Sequence, residues 1–281
     1  MIPDRRALLA GAAAIAATGA ARAQAVSVQS ADDLVLNGRL VQGGHVLGRT
    51  WPRALIFVDG EALTAASASG AFIIGFDRDA PASVELEARA DGRSARRMLA
   101  VTPGDFPVTR VDGLPAATVT PSDPVLLARI AREVEIKSEA FASRLDTDHF
   151  RDGFVWPVET FRVSSRWGAQ RVLNGTPARP HYGIDLAAPQ GTVIRAPATG
   201  RVVLAEPDLH FEGGLVLIDH GQGLITAYLH QSRIDVRAGQ DIRRGDPLGR
   251  VGMSGRATGP HLCWRMKWRN RNMDPSLLVR T

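Results

Sequence analysis

The chain has 281 residues, enough for two modest domains. Hydrophobic residues make up 44% and charged residues 22%, a balance that excludes a disordered or fibrous chain. The formal net charge of +5 suits an anionic polymer as partner, with solubility the plainer explanation, and does not by itself imply nucleic acid.

The N-terminus reads as an export signal covering 1–23. Arg5 and Arg6 precede an Ala- and Leu-rich run from Ala7 to Ala20, and Ala21-Arg22-Ala23 has the small-x-small pattern of a signal-peptidase site. The run is too short for a spanning helix; an uncleaved N-terminal helix is the alternative. The adjacent arginines also match a twin-arginine signal, so the route is Sec or twin-arginine. Cleavage after Ala23 removes three arginines and Asp4 and lowers the charge to +3. Cys263 is the one cysteine, which excludes an internal disulfide and leaves a thiol that an oxidising compartment tolerates only if it is buried or ligated.

Residues 26–115 read as short strands punctuated by turns. A strand, an Asn37-Gly38 turn and a second strand are expected between Leu34 and Gly44. Strands follow at Ala54–Val58, ending in an Asp59-Gly60 turn, at Ala71–Phe76, at Ser83–Ala90 before Asp91-Gly92, and at Arg97–Val101. This spacing predicts a small β-sandwich, and it holds no cluster of catalytic residue types. Pro103, Pro107, Pro115, Pro121 and Pro124 mark 102–124 as linker, and 116–150 as linker plus helix. Ser122 or Asp123 is placed to cap that helix, with Pro124 in its first turn. Leu126, Leu127, Ile130, Val134 and Ile136 give Val125–Leu145 an apolar stripe, the pattern of an amphipathic connector. Residues 154–281 return to strands separated by Gly and Pro. The fold class is therefore all-β with a connecting helix.

Six of the seven histidines lie beyond residue 148. His181 and Asp185 are four apart around Gly183, so a bend brings an imidazole and a carboxylate toward one cation, a donor set that suits zinc. His261 and Cys263 are two apart in a strand-like run and share a face, while Leu262, Trp264, Met266 and Trp268 face the other way into a core. His230 ends Tyr228-Leu229-His230. Arg265, Lys267, Arg269 and Arg271 form an alternating basic stretch that either meets anionic groups or is a solvated face.

From Phe154 to Leu278 these segments resemble the lysostaphin/LytM-type zinc metallopeptidases, which cut peptidoglycan cross-links. The resemblance rests on Ser164-Ser165-Arg166-Trp167-Gly168, on His181-Tyr182-Gly183-Ile184-Asp185-Leu186-Ala187-Ala188-Pro189, and on Ala196-Pro197-Ala198-Thr199-Gly200. Ile218-Asp219-His220-Gly221, Tyr228-Leu229-His230, Gly245-Asp246-Pro247-Leu248-Gly249 and Thr258-Gly259-Pro260-His261-Leu262 follow in the same order. It implies an antiparallel β peptidase domain over 154–281, His181 and Asp185 as Zn2+ ligands, His230 and His261 as catalytic residues, and peptidoglycan in the periplasm or cell envelope as substrate. Other cell-wall or division proteins are then partners to consider. The third ligand position holds Cys263 where the family has His. Cys263 is either a zinc thiolate, with Arg265 offsetting its charge, or the sign of a degenerate module that binds wall or activates another hydrolase.

Overall fold

The computed structural model describes residues 27–28, 33–114, 119 and 121–280. The export signal expected over 1–23 lies outside the described residues. Among the described residues no helix is long and apolar enough to cross a membrane.

The N-terminal half contains β1 (Ser27–Val28), β2 (Val35–Arg39), β3 (His45–Arg49), β4 (Leu55–Val58), β5 (Glu61–Ala65), β6 (Ala71–Gly75), β7 (Ser83–Ala90) and β8 (Arg93–Ala100). They form two sheets, in the orders β1-β8-β7-β4-β5 and β2-β3-β6. Asp59-Gly60 and Asp91-Gly92 turn with positive φ at both residues, the backbone that matches hairpin twist. The Asn37-Gly38 turn does not form. Both residues lie inside β2, with Gly38 opposite Val46, because a side chain there would strike the backbone of His45. A glycine that reads as a turn is here a close approach of strands.

The Pro-rich linker contributes a strand of its own. β9 (Val108–Val111) runs parallel to β11 (Gln170–Leu173), which pairs on its other side with β12 (Thr176–Pro177). Helix α1 (Pro124–Phe141) starts at Asp123, whose carboxylate accepts from Val125 N at 3.0 Å, with Pro124 in the first turn as expected. The expected stripe faces inward only in part: Leu126 and Ile130 are half-buried, whereas Leu127, Val134 and Ile136 are exposed. Glu133 and Ala140 are the buried positions. Ionic contacts to Asp208 and Glu212 of the neighbouring hairpin join the helix to it beside the small apolar cluster that Ala140 covers. Arg129 bonds Asp208, Glu133 accepts from His210 N at 2.9 Å, and Lys137 bonds Glu212 at 2.7 Å.

The C-terminal half adds β10 (Arg162–Ser165), β13 (Gly183–Ala187), β14 (Val193–Arg195), β15 (Gly200–Leu209), β16 (Gly213–Asp219), β17 (Leu224–Gln231), β18 (Arg233–Ile234), β19 (Asp241–Ile242), β20 (Pro247–Arg250), β21 (His261–Trp268) and β22 (Arg271–Met273). The main sheet has the order β10-β13-β21-β17-β16-β15-β19, with β22 on β21, and its pairs are antiparallel. A small sheet β14-β20-β18 packs beside it. Alternation along β21 divides its side chains: Leu262, Trp264, Met266 and Trp268 join the main core, whereas Cys263 joins a smaller cluster with Leu217, Ile225, Ala227 and Ala140 of α1. The main core also contains Ile56, Phe72, Ile74 and Leu86, so it is continuous across both halves. Met273 and Trp268 pack against Gly75 of β6 without room for a Cβ. Asn272 N and Nδ2 bond Asp77, and Arg78 Nε bonds Gly168 O at 2.8 Å.

Candidate active site

Register builds the site. β13 and β21 are antiparallel neighbours in which Asp185 faces Cys263 and Ala187 faces His261, and β17 places Leu229 beside Cys263. His181 lies two residues before β13, and its ring turns back over the same face. One nitrogen, one oxygen and the sulfur of His181, Asp185 and Cys263 all lie within 4.8 Å of one another, and all three residues are buried.

The contacts orient these donors. His181 Nδ1 is 3.0 Å from Ser165 Oγ, which leaves Nε2 facing Cys263 Sγ at 3.3 Å and Asp185 Oδ1 at 3.2 Å. Asp185 Oδ2 accepts from Arg171 Nη2 at 3.2 Å, whereas Oδ1 is buried without a hydrogen bond of good geometry. Arg265 Nε donates to Cys263 Sγ at 3.4 Å, as its position two residues along the strand led us to expect. Burial pushes the Asp185 carboxyl up, but contact with His181 and the charges of His181, His261 and Arg171 outweigh it and hold the group well below the usual carboxylate range. Burial, and then the Asp185 carboxylate, push the Cys263 thiol up to about 12 against the pull of Arg265.

These residues fit a zinc ion. Bond lengths of about 2.0 Å to nitrogen and 2.3 Å to sulfur in a tetrahedral site put the two donors about 3.5 Å apart, close to the 3.3 Å found here. Asp185 Oδ1, a buried acceptor without a donor, faces the same point.

Two more histidines border the cluster. His230 has φ +64°, which reverses strand alternation. Without it the ring would follow Tyr228 into the core; with it the ring lies 4.7 Å from that of His261, centroid to centroid. His230 Nδ1 is 2.8 Å from Ser254 O, and His261 Nδ1 is 2.8 Å from Gly259 O. A carbonyl only accepts, so each Nδ1 carries a proton, and in the neutral ring it is Nε2 that has the lone pair. His261 Nε2 is 3.7 Å from Asp185 Oδ1. Burial, then the charge of His261, lower His230 to about 3, so its ring is neutral at ordinary pH. The cleft of about 450 Å³ over these residues is also lined by Phe211, Glu212 and Arg256, and on the linker side by Val111 and Leu114.

All five residues singled out from sequence therefore meet. Arg171, Ser165, Ser254 and Glu212 also belong to the site and were not found. Ser165 lies in the Ser164-Ser165-Arg166-Trp167-Gly168 segment; the others reach the site across 14 or more residues and leave no local spacing to read.

His210 is half-buried, with its ring against Phe211. His220 is fully buried, between Thr199 O at 2.7 Å and Thr226 Oγ1 at 2.8 Å, a structural position. Trp167 packs, with Phe106 at its edge.

A strand-borne His, Asp and Cys cluster beside two further imidazoles over an open cleft has the donor types and the open side of a metal centre. The family model described as Peptidase family M23 matches residues 179–275, and the chain superposes on the crystal structure of a Pseudomonas aeruginosa protein described as peptidase M23. That match has a TM-score of 0.67 and 30% identity over 86% of this chain and 95% of the other. The chain belongs to peptidase family M23, the lysostaphin/LytM-type peptidases. Among curated proteins it is 38% identical over 121 residues to peptidoglycan DD-endopeptidase ShyA of Vibrio cholerae, covering 42% of this chain and 28% of that one. It is 33% identical over 132 residues to cell division protein DipM of Caulobacter vibrioides, covering 45% and 21%. The chain thus spans about a quarter of the length of these relatives.

Proposed function

We propose that this chain is an exported zinc-dependent endopeptidase that hydrolyses peptide cross-links of bacterial peptidoglycan in the periplasm or cell envelope, with Cys263 as the third metal ligand. The observation that carries the reading is the convergence of His181 Nε2, Asp185 Oδ1 and Cys263 Sγ beside the lone pairs of His230 and His261. The similarity to a named peptidoglycan DD-endopeptidase supports the substrate class.

His181, Asp185 and Cys263 hold the ion, and zinc bound there supplies Lewis-acid polarisation of the scissile carbonyl and an acidic water. Ser165 and Arg171 fix the orientation of the His181 and Asp185 donors. His230 Nε2, kept neutral by burial, takes one proton of the attacking water and delivers it to the departing amine nitrogen, and His261 Nε2 beside it accepts the second proton of that water as the carboxylate forms. Two thiolate and carboxylate charges make this site less electrophilic than one with a second imidazole, and Arg265 offsets part of that charge.

The test is metal content and cleavage measured on one preparation of chain lacking residues 1–23, kept reduced. We expect about one zinc per chain by atomic emission, loss of that zinc in Cys263→Ala, and release of new amino termini from purified peptidoglycan. Metal-free protein that binds wall fragments without cutting them would overturn the reading and favour a binding or activating module.

A further inference from the structure

The linker between the two halves is built into the cleft over the metal cluster. Its strand β9 sorts its side chains by alternation: Thr109 and Val111 line the cleft, while Val108, Arg110 and, just past the strand, Asp112 are exposed. In the parallel pairing with β11, Thr109 lies beside Arg171 and Val111 beside Leu173, and all four line the cleft. One face of this small sheet is therefore a wall of the candidate active site. Leu173 follows Arg171, the partner of Asp185, by two residues or about 7 Å of strand. The wall thus stands within about one or two residues of a peptide bond held at the metal cluster.

This wall is anchored at both ends. At its start, Phe106 packs edge-on against Trp167 and occupies the space over Gly168 where a Cβ would sit, and Arg78 of the N-terminal half lies over the Phe106 ring. At its end, Asn174 Oδ1 accepts from Leu114 N at 3.1 Å and Asn174 Nδ2 donates to Leu114 O at 2.8 Å. Between them, Gln170 N donates to Pro107 O and Asn174 N to Val111 O, both at 2.9 Å. Asn174 and Gly175 turn the chain from β11 into β12 with φ +47° and +81°, a backbone that Asn adopts at little cost. A passive connector leaves its backbone to water; this one is bonded and packed along the cleft.

The linker residues that line the cleft carry no charge. Val111 and Leu114 present half-buried alkyl groups, and Leu173 beside Val111 is buried. Covering such groups with an alkyl group is favourable, whereas a polar group placed there gives up water without a partner. We infer that Val111 and Leu114, held by the Asn174 latch, are specificity-determining residues that receive an aliphatic side chain of the peptide substrate at a residue flanking the bond cut. The inference rests on the endopeptidase reading for the identity of its ligand. Asn174 is a positioning residue: its amide bonds the linker and does not line the cleft.

Cross-linked peptides made uncleavable by a reduced peptide bond test this. They carry α-aminobutyrate or its polar isostere serine at one flanking residue or the other. Each is titrated calorimetrically into wild-type chain, Val111→Thr/Leu114→Asn and Asn174→Gly. At one flanking position wild type is expected to bind the α-aminobutyrate peptide about tenfold more tightly than the serine peptide, and both variants to bind the two nearly alike. Thr keeps a β-branched residue in the strand and Gly tolerates the positive φ, so melting temperature and zinc content are expected to match wild type. Equal wild-type affinity at both positions, or a preference that survives in Val111→Thr/Leu114→Asn, overturns the wall; one that survives in Asn174→Gly overturns the latch. Turnover of the cleavable parent peptides keeps the two claims apart. Cleavage without a preference retains the endopeptidase and sinks the wall, and a preference without cleavage does the reverse.

Discussion

The least ordinary residue-level feature is the conformation of His230. A residue other than glycine in the left-handed region costs about 1–3 kcal/mol unless its surroundings hold it there. Here the backbone N of His230 donates to Glu212 O at 2.8 Å, and the ring donates to Ser254 O at 2.8 Å. These bonds keep the ring beside His261 and its lone pair in the cleft. Removing the lone pair while keeping the ring's polar bulk isolates the proposed proton transfer. His230→Gln is expected to lower turnover of a cross-linked peptide by about 10²–10⁴-fold with zinc retained, the range for loss of a general base or acid. The same change at His261 is expected to act alike. Retained turnover in both variants would remove the two histidines from the chemistry.

At the scale of elements, α1 is more than a spacer. It covers the small apolar cluster behind Cys263 through Ala140, and holds the β15–β16 hairpin through Arg129, Glu133 and Lys137. The Lys137–Glu212 pair is mostly shielded, at 15% and 13% side-chain exposure, and Glu212 carries the carbonyl that receives His230 N. Lys137→Met leaves that carboxylate unpaired. The expected cost is about 2 kcal/mol by urea denaturation, below the roughly 3–5 of a fully buried pair because solvent still reaches both groups. Lys137→Arg is expected to recover most of it. The helix start was legible, since Asp123 and Pro124 are strong local signals, whereas its end, expected at Leu145, falls at Phe141. Its buried face was legible only in part, because a 3.6-residue pattern records where apolar residues stand and not that the partner surface also presents Asp208 and Glu212.

For the whole molecule, the continuous core makes both halves one cooperative unit in which buried neutral histidines set the acid limit. Burial, followed by the charge of Arg39, lowers His45 to about 4. Burial likewise lowers His220 to about 4, against the hydrogen bond to Thr199 O and the charge of Asp219. Below the unfolded value of about 6.5 the unfolded chain binds protons that the folded chain refuses, so stability falls as pH drops from about 6.5 toward 4. Each histidine contributes a loss of about 2 kcal/mol by pH 5. Metal-free protein is therefore expected to melt at a clearly lower temperature at pH 5 than at pH 7, with one transition for both halves. His220→Asn is expected to shrink the difference; an unchanged difference would assign it to other groups.

The sequence by itself determined the strand-rich class, the helix start, and two pairs, His181 with Asp185 and His261 with Cys263, which the family resemblance joined into one set. These follow from spacings of two and four residues, which local backbone geometry converts directly into shared faces. Tertiary structure alone decided that Arg171 clamps Asp185, that His230 turns out of its strand, and that Asn37-Gly38 is strand and not turn. It also decided that the basic stretch divides after Lys267, where Arg269 takes φ +54° and Arg271 lies over the Trp268 ring. Each of these depends on which backbone lies opposite, a contact across many residues that no local period records. Cys263 belongs to both levels: its spacing from His261 put it on the site face, and the register of β13 against β21 set it opposite Asp185.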